Sequence, residues 1–182
     1  MNFQPQEFID RAGHRLVIRS CVQEDAANML KYLNKTAKET NFLLREVKET
    51  EISIEREQAF IDNNRKDERS LLLVCEHNGE IIGSASFSPV STLSRIKHRA
   101  SIGIALYEEY QGYGIGKKML SIILQQAKKV GYSQCELEVV CTNDKAINLY
   151  KKLGFEIYGT MPNNIHYLDD TYADCYWMMK KL

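Results

Sequence analysis

The chain has 182 residues and a mass of 21.0 kDa, which is the size of one ordinary domain, since domains cluster at roughly 100–200 residues. Hydrophobic residues make up 44% and charged residues 26%, near the globular average, which excludes a disordered or collagen-like chain. Lys+Arg and Asp+Glu number 24 each, so net charge leaves no electrostatic footprint for nucleic acid, and none is expected as a partner.

In chain order, His14–Ser20 alternates and predicts a first strand. Ser20 with Gln23 fits a capping box, and an amphipathic helix is predicted to about Lys38. Residues 39–52 read as an irregular polar connection, and Ser53–Arg65 as a second helix. Ser70–Glu76 and Glu80–Ser88 are apolar runs joined through Asn78-Gly79, a strong hairpin signal because both residues accept positive φ. A strand is predicted over His98–Tyr107, followed by Gln111-Gly112-Tyr113-Gly114-Ile115-Gly116. Met119, Leu120, Ile123, Leu124, Ala127 and Val130 then recur at helical spacing up to Gly131. Gln134–Cys141 alternates strictly, with Cys135, Leu137, Val139 and Cys141 on one face and Gln134, Glu136 and Glu138 on the other. Thr142 or Asn143 can cap a helix that runs to about Leu153. Phe155–Tyr158 and Tyr172–Lys180 close the chain as strands. The order β-α-α-β-β-β-α-β-α-β-β is an α/β mixture. With no repeat and no linker-like stretch, one domain over residues 1–182 is expected.

Cys21, Cys75, Cys135, Cys141 and Cys175 are odd in number, widely spaced and without a CxxC pair. That argues against a zinc site, a redox motif or a disulfide framework, and no metal is expected. Reduced thiols in a cytoplasmic protein are the simplest reading. The longest apolar run, Leu71 to Cys75, falls far short of the ~20 residues of a membrane span, and no membrane partner is expected. The N-terminal stretch lacks the apolar core of a signal peptide.

A strand, a loop with alternate glycines and a helix make an anion site. Gly112, Gly114 and Gly116 carry no Cβ, so backbone N–H groups can close on a ligand. The first helical N–H groups are unpartnered and the helix dipole adds positive charge, so a diphosphate suits that place. Lys117 and Lys118 add rim charge. The Walker pattern fails, because Gln111 stands where its first glycine belongs and Lys118 where its Ser/Thr belongs. The Rossmann fingerprint fails by one residue, the spacing here being GxGxG.

Gln111-x-x-Gly114-x-Gly116 matches the Q/R-x-x-G-x-G/A loop of the GNAT (Gcn5-related N-acetyltransferase) superfamily. Leu137-Glu138-Val139, Asn143, Ala146-Ile147-x-Leu149-Tyr150 and Gly154-Phe155 match its second signature in the same order. The chain resembles the branch of ribosomal-protein and small-amine N-acetyltransferases, over about residues 14–182 and most specifically over 100–159. The resemblance implies a mixed six- to seven-stranded twisted sheet flanked by about four helices, with two parallel central strands that splay apart around acetyl-CoA. By motif position it implies that Ile104, Ala105 and Leu106 contact the acyl-pantetheine arm through their backbone. Gly112, Tyr113, Gly114, Ile115, Gly116 and Lys117 hold the diphosphate, and Asn143 hydrogen-bonds the arm.

Two chemical requirements follow from the implied activity. An alkyl amine has a pKa near 10.4, so only about one molecule in a thousand is neutral at pH 7.4, and a base or a water chain must take its proton. Glu138 holds the family position for this role, and partial burial facing the cleft would make it a better base. The plain alternative is that Glu136 and Glu138 are a solvated strand face. Coenzyme A leaves as a thiolate, and a phenol near the sulfur can donate to it. Tyr150 holds that position, the alternative being a helix aromatic in the core. An oxyanion donor is implied near Leu106. No covalent enzyme intermediate is needed, so Cys135 and Cys141 read as apolar fillers.

Acceptor specificity in the family sits in residues 35–55, which include Phe42, and in the loop 159–172, where His166 reads as a loop histidine. The implied reaction is direct transfer from acetyl-CoA to a primary amine in a ternary complex. The acceptor is expected to be a small molecule such as a polyamine, amino acid or amine-bearing toxin, with a protein N-terminus or lysine as the alternative. A non-catalytic acyl-CoA-binding module is the alternative of another class. A narrow acidic pocket would suit polyamines and an open trough would suit peptides. A homodimer is a further possibility the resemblance raises.

Overall fold

The computed structural model describes residues 1–182. Its strands are β1 (Gln6–Ile9), β2 (Arg15–Ser20), β3 (Leu71–His77), β4 (Glu80–Pro89), β5 (Arg99–Leu106), β6 (Gln134–Val140), β7 (Glu156–His166) and β8 (Tyr172–Lys181). Its helices are α1 (Ala26–Glu39), α2 (Ile54–Lys66), α3 (Ile115–Val130) and α4 (Asp144–Lys152). The strands form one eight-stranded sheet in the order β1-β2-β3-β4-β5-β6-β8-β7. Every neighbouring pair is antiparallel except β5 and β6.

The local signals act as their chemistry demands. Asn78 and Gly79 take φ of 50° and 82° and turn β3 into β4. Ser53 Oγ accepts from Arg56 N–H at 3.3 Å and starts α2. Asn143 Oδ1 accepts from Ala146 N–H at 3.2 Å and starts α4.

Three expectations are corrected. Ser20 ends β2, and its hydroxyl accepts from Phe3 N–H at 2.8 Å instead of capping a helix. The chain then makes a 3-10 turn over Gln23–Asp25, and α1 begins at Ala26. Asp25 pairs instead with Arg19, whose guanidinium also reaches Glu76. The sheet has one strand more than expected, because β1 adds an edge beyond β2. Finally, β7 runs on to His166, so most of the expected loop 159–172 is strand and the turn is confined to residues 167–171. β7 is an edge strand with register shifts at Ile157/Gly159 and Met161/Ile165. A bulged edge is where Pro162 and a positive-φ Asn163 are tolerated.

The helices cover opposite faces. Along β5, Ile102, Ile104 and Leu106 alternate with Ser101, Gly103 and Ala105. On the first face, a Cβ placed on Gly116 of α3 would meet Leu106 at 3.4 Å and Ile104 at 3.7 Å. On the second face, Tyr32 of α1 hydrogen-bonds Ser84 and Ala105. One contiguous cluster of 34 buried side chains fills both layers, including Ile18, Leu73, Phe87, Met119 and Met178. No helix is long and apolar enough to cross a membrane.

Candidate active site

The parallel pairing of β5 and β6 is short. Register partners are Arg99↔Gln134, Ala100↔Cys135 and Ser101↔Glu136, and beyond them the strands diverge. The gap opens into a cleft of about 1830 Å³ bordered by both strands, the glycine loop, α1 and α4. At its apex Arg99 clamps Glu136 through bidentate hydrogen bonds of 2.8–3.2 Å. Glu136 is therefore not on a solvated face: it is 9% exposed and neutralised by its neighbour.

The expected cofactor residues converge on this cleft in part. Ile104, Ala105 and Leu106 are half-buried along one wall. Gly112, Gly114, Gly116 and Lys117 line its lower end. Gly112 and Gly114 take φ of 87° and 94°, a region costly for any residue with a Cβ. Gly114 is the N-cap of α3 and has no side chain to satisfy the first amides, which leaves them for a ligand. Tyr113 and Ile115 do not line the cleft. Ile115 is fully buried in the core, and Tyr113 packs edge-on to His14 at 6.1 Å. Any part they play is limited to the backbone. Asn143 lines the wall opposite; its Oδ1 is used as a cap, while Nδ2 has no partner in the chain and faces no competing acceptor bond.

Tyr150 is 7% exposed, lines the cleft and makes no hydrogen bond with its hydroxyl. Burial pushes its pKa up to about 12, so the phenol stays protonated at neutral pH. Such a group keeps its proton and is available to donate a hydrogen bond into the cleft. Glu138, on β6, lines the same cleft. It is exposed, and its Oε2 accepts from Asn164 Nδ2 at 3.0 Å. The partial burial expected of it is absent.

Several contributors carry no local sequence signal. The buried Tyr32 hydroxyl donates to Ala105 C=O at 2.9 Å and accepts from Ser84 N–H at 3.1 Å. Ser84 and Ala105 are register partners, so this hydroxyl sits where a direct ladder bond would run. Next to it, Gly83 sits in a tight place, since a Cβ there would displace Leu106 Cδ2 and lie 3.2 Å from Ala105 O. A helix side chain thus bridges β4 and β5 beyond the last register pair of β5 with β6. Trp177, the cross-strand partner of Glu138, also lines the cleft, and its enclosed indole N–H has no partner.

The side of the cleft where the resemblance implies an acceptor is broad and mixed in charge. Phe42, Leu43, Leu44 and Arg45 reach it from the α1–α2 connection, and Glu39, Glu138, Tyr158 and Trp177 complete it. It is not a narrow acidic slot. Phe42 lines the cleft and is 42% exposed. His166 lies outside: it hydrogen-bonds Asp170 at 2.8 Å and stacks on Tyr172 at 4.4 Å. All five cysteines are free. Burial pushes Cys135 up to about 12, and raises the half-buried Cys141 as well, which leaves neither as a ready nucleophile. No group of His, Cys, Asp or Glu is placed to hold a metal ion.

Comparison with known proteins places the fold in a family. Residues 30–155 match the Acetyltransferase (GNAT) family. The chain is 29% identical over 91 residues to the L-amino acid N-acyltransferase MnaT of Escherichia coli, covering 50% of this chain and 53% of that protein. It is 25% identical over 114 residues to an L-methionine sulfoximine/L-methionine sulfone acetyltransferase of Pseudomonas aeruginosa, covering 63% and 66%. The matches thus span between half and two thirds of those relatives. A GNAT-family acetyltransferase from Streptococcus pneumoniae superposes with a TM-score of 0.87 over 92% of this chain and 99% of that one, at 25% identity.

Proposed function

The chain belongs to the acetyltransferase (GNAT) family, and from that premise we propose that it moves an acetyl group from acetyl-CoA to the primary amine of a free amino acid or amino-acid analogue, by direct attack in a ternary complex. The observation that carries this reading is the divergence of β5 and β6 immediately above a glycine loop stripped of Cβ atoms. A flexible thioester arm fits between the strands as a third, unpaired strand, and its diphosphate fits the free amides at the start of α3. The relatives named above point to amino acids as the acceptor class, and the mixed charge of the acceptor side favours a zwitterion over a polyamine.

Bound acetyl-CoA supplies the activated acyl group and a thiolate leaving group. The residues of this chain do the rest. Backbone groups of Ile104–Leu106 hold the arm in line, and the Asn143 amide donates to it. Gly112–Lys117 hold the diphosphate. A backbone N–H near Leu106 donates to the thioester oxygen as charge builds there. Tyr150 donates a hydrogen bond to sulfur as the C–S bond breaks. Glu138, at the rim, receives the amine proton through water. The buried thiols take no part, consistent with direct transfer.

The breadth of the acceptor side favours a second reading, the amino terminus of a peptide. That amine has a pKa near 7.7–8.0, so roughly a quarter is neutral at pH 7.4 and the demand on a base is small. A thiol-release assay with acetyl-CoA against amino acids, N-terminal peptides and polyamines tests both. Turnover with amino acids, lowered by Glu138→Gln, is the expected result. Turnover with peptides alone, little changed by that substitution, would select the second reading. No thiol release with any amine would remove the proposal.

A further inference from the structure

The motif around the glycine loop contains its own lysines, yet a guanidinium beside the loop comes from elsewhere. Arg11 lies in the turn between β1 and β2, and its Nε is 3.7 Å from where a Cβ on Gly114 would stand. Its backbone N–H donates to Tyr113 C=O at 3.2 Å, which ties the turn to the loop. Its side chain lines the same cleft as Gly112, Gly114, Gly116 and Lys117.

The turn is built to hold that place. The buried Asp10 carboxylate accepts from Ala12 N–H, His14 N–H and His14 Nδ1, each at 2.9 Å. Asp10 N–H donates to His14 C=O at 3.1 Å, and Gly13 N–H to Asp10 C=O at 3.2 Å. The His14 ring packs against His77, Tyr110 and Tyr113, so both sides of the contact are fixed by neighbours. The other arginines of the fold core are spoken for: Arg19 by Asp25 and Glu76, Arg99 by Glu136. Of the acids beside the loop, Glu109 is paired with Lys35 at 2.7 Å. The Arg11 guanidinium forms no hydrogen bond and no ion pair with the chain. An untied fork of donors, carried on a turn whose backbone is fixed beside free helix amides, is matched to a phosphate oxygen.

We propose that Arg11 is a cofactor-binding residue whose guanidinium grips the diphosphate of the acyl-CoA, so that the β1–β2 hairpin is a working part of the cofactor site. This inference rests on the acyl-CoA reading above. It explains why an edge strand beyond β2 is kept: β1 returns the chain through a turn that reaches the loop.

The test is calorimetric titration of the full chain and of Arg11→Gln with coenzyme A and with dephospho-coenzyme A. Arg11 is exposed, so the variant keeps the fold. The expected result is that Arg11→Gln weakens both ligands by about tenfold, the lower end for a charge-assisted hydrogen bond, and that Arg11→Lys recovers part of it. An equal affinity of variant and parent would overturn the assignment. A loss seen with coenzyme A but absent with dephospho-coenzyme A would also overturn it, moving the guanidinium to the ribose phosphate. Failure of the parent chain to bind either ligand would instead sink the acyl-CoA reading itself.

Discussion

The two halves of the cleft are made of different material. On the side proposed for the cofactor, Gly116, Leu137, Val139 and Tyr150 are buried, and the loop glycines Gly112 and Gly114 hold a backbone shape other residues avoid. On the side proposed for the acceptor, Phe42 and Leu44 are 42% and 78% exposed, on the irregular connection between α1 and α2. A reactant common to a family is read by backbone atoms, which need a rigid frame. An acceptor that differs between relatives is read by side chains on exposed segments, which can change at little cost to the core.

Substitutions in the two halves should therefore separate. The largest effect is expected from Tyr150→Phe, which keeps the ring and removes the donor. Steady-state assays should give a kcat lower by on the order of 100-fold, with the acetyl-CoA KM little changed. An undiminished kcat would strike Tyr150 from the chemistry. Gly114→Val forces a branched side chain into a left-handed backbone, at a cost of about 1–3 kcal/mol. Calorimetry should register coenzyme A affinity reduced by roughly 10–100-fold while circular dichroism stays that of the parent. Tyr32→Phe withdraws the hydroxyl from between Ser84 and Ala105, leaving a buried donor and acceptor unpaired. Urea unfolding should report a loss of about 1–3 kcal/mol.

The buried phenol also predicts an alkaline limit. Tyr150 is held protonated to about pH 12 in the fold but ionises near pH 10 when unfolded. The native state therefore holds more protons between those values, and stability falls as pH rises through that window. The slope should be about 1.4 kcal/mol per pH unit from this group, and urea melts at pH 9, 10 and 11 should be shallower in pH for Tyr150→Phe. The smallest effect on stability belongs to the other half. Leu44→Ala should change it by no more than about 0.5 kcal/mol while altering the KM for the acceptor. A large melting shift with no change in that KM would dissolve the contrast between the halves.

Much of this was legible in the chain itself. The glycine loop, the Asn78-Gly79 hairpin and the Asn143 cap stand where their residues indicate. The misreadings are instructive. Gln6–Ile9 is too short to register as a strand without β2 beside it. Pro162-Asn163-Asn164 carries every mark of a turn, and only an edge position with bulges accommodates it within β7. The Ser20–Gln23 box is present in letters but loses Ser20 to Phe3. Glu136 and Glu138 share one alternating face, yet one is clamped by Arg99 and the other stands exposed at the rim beside Asn164.

What residue order decided alone was conformational and local: where φ turns positive, where a helix starts and stops, which faces of a strand are apolar. These depend on sterics and hydrogen bonds within a few residues. What required the folded molecule was which groups meet. Tyr32 reaches Ala105 across 73 residues, Arg11 arrives at Gly114 from the far edge of the sheet, and β5 parts from β6 after Ser101 while each keeps its other neighbour. Those meetings are set by sheet order and packing, which no short stretch of residues encodes.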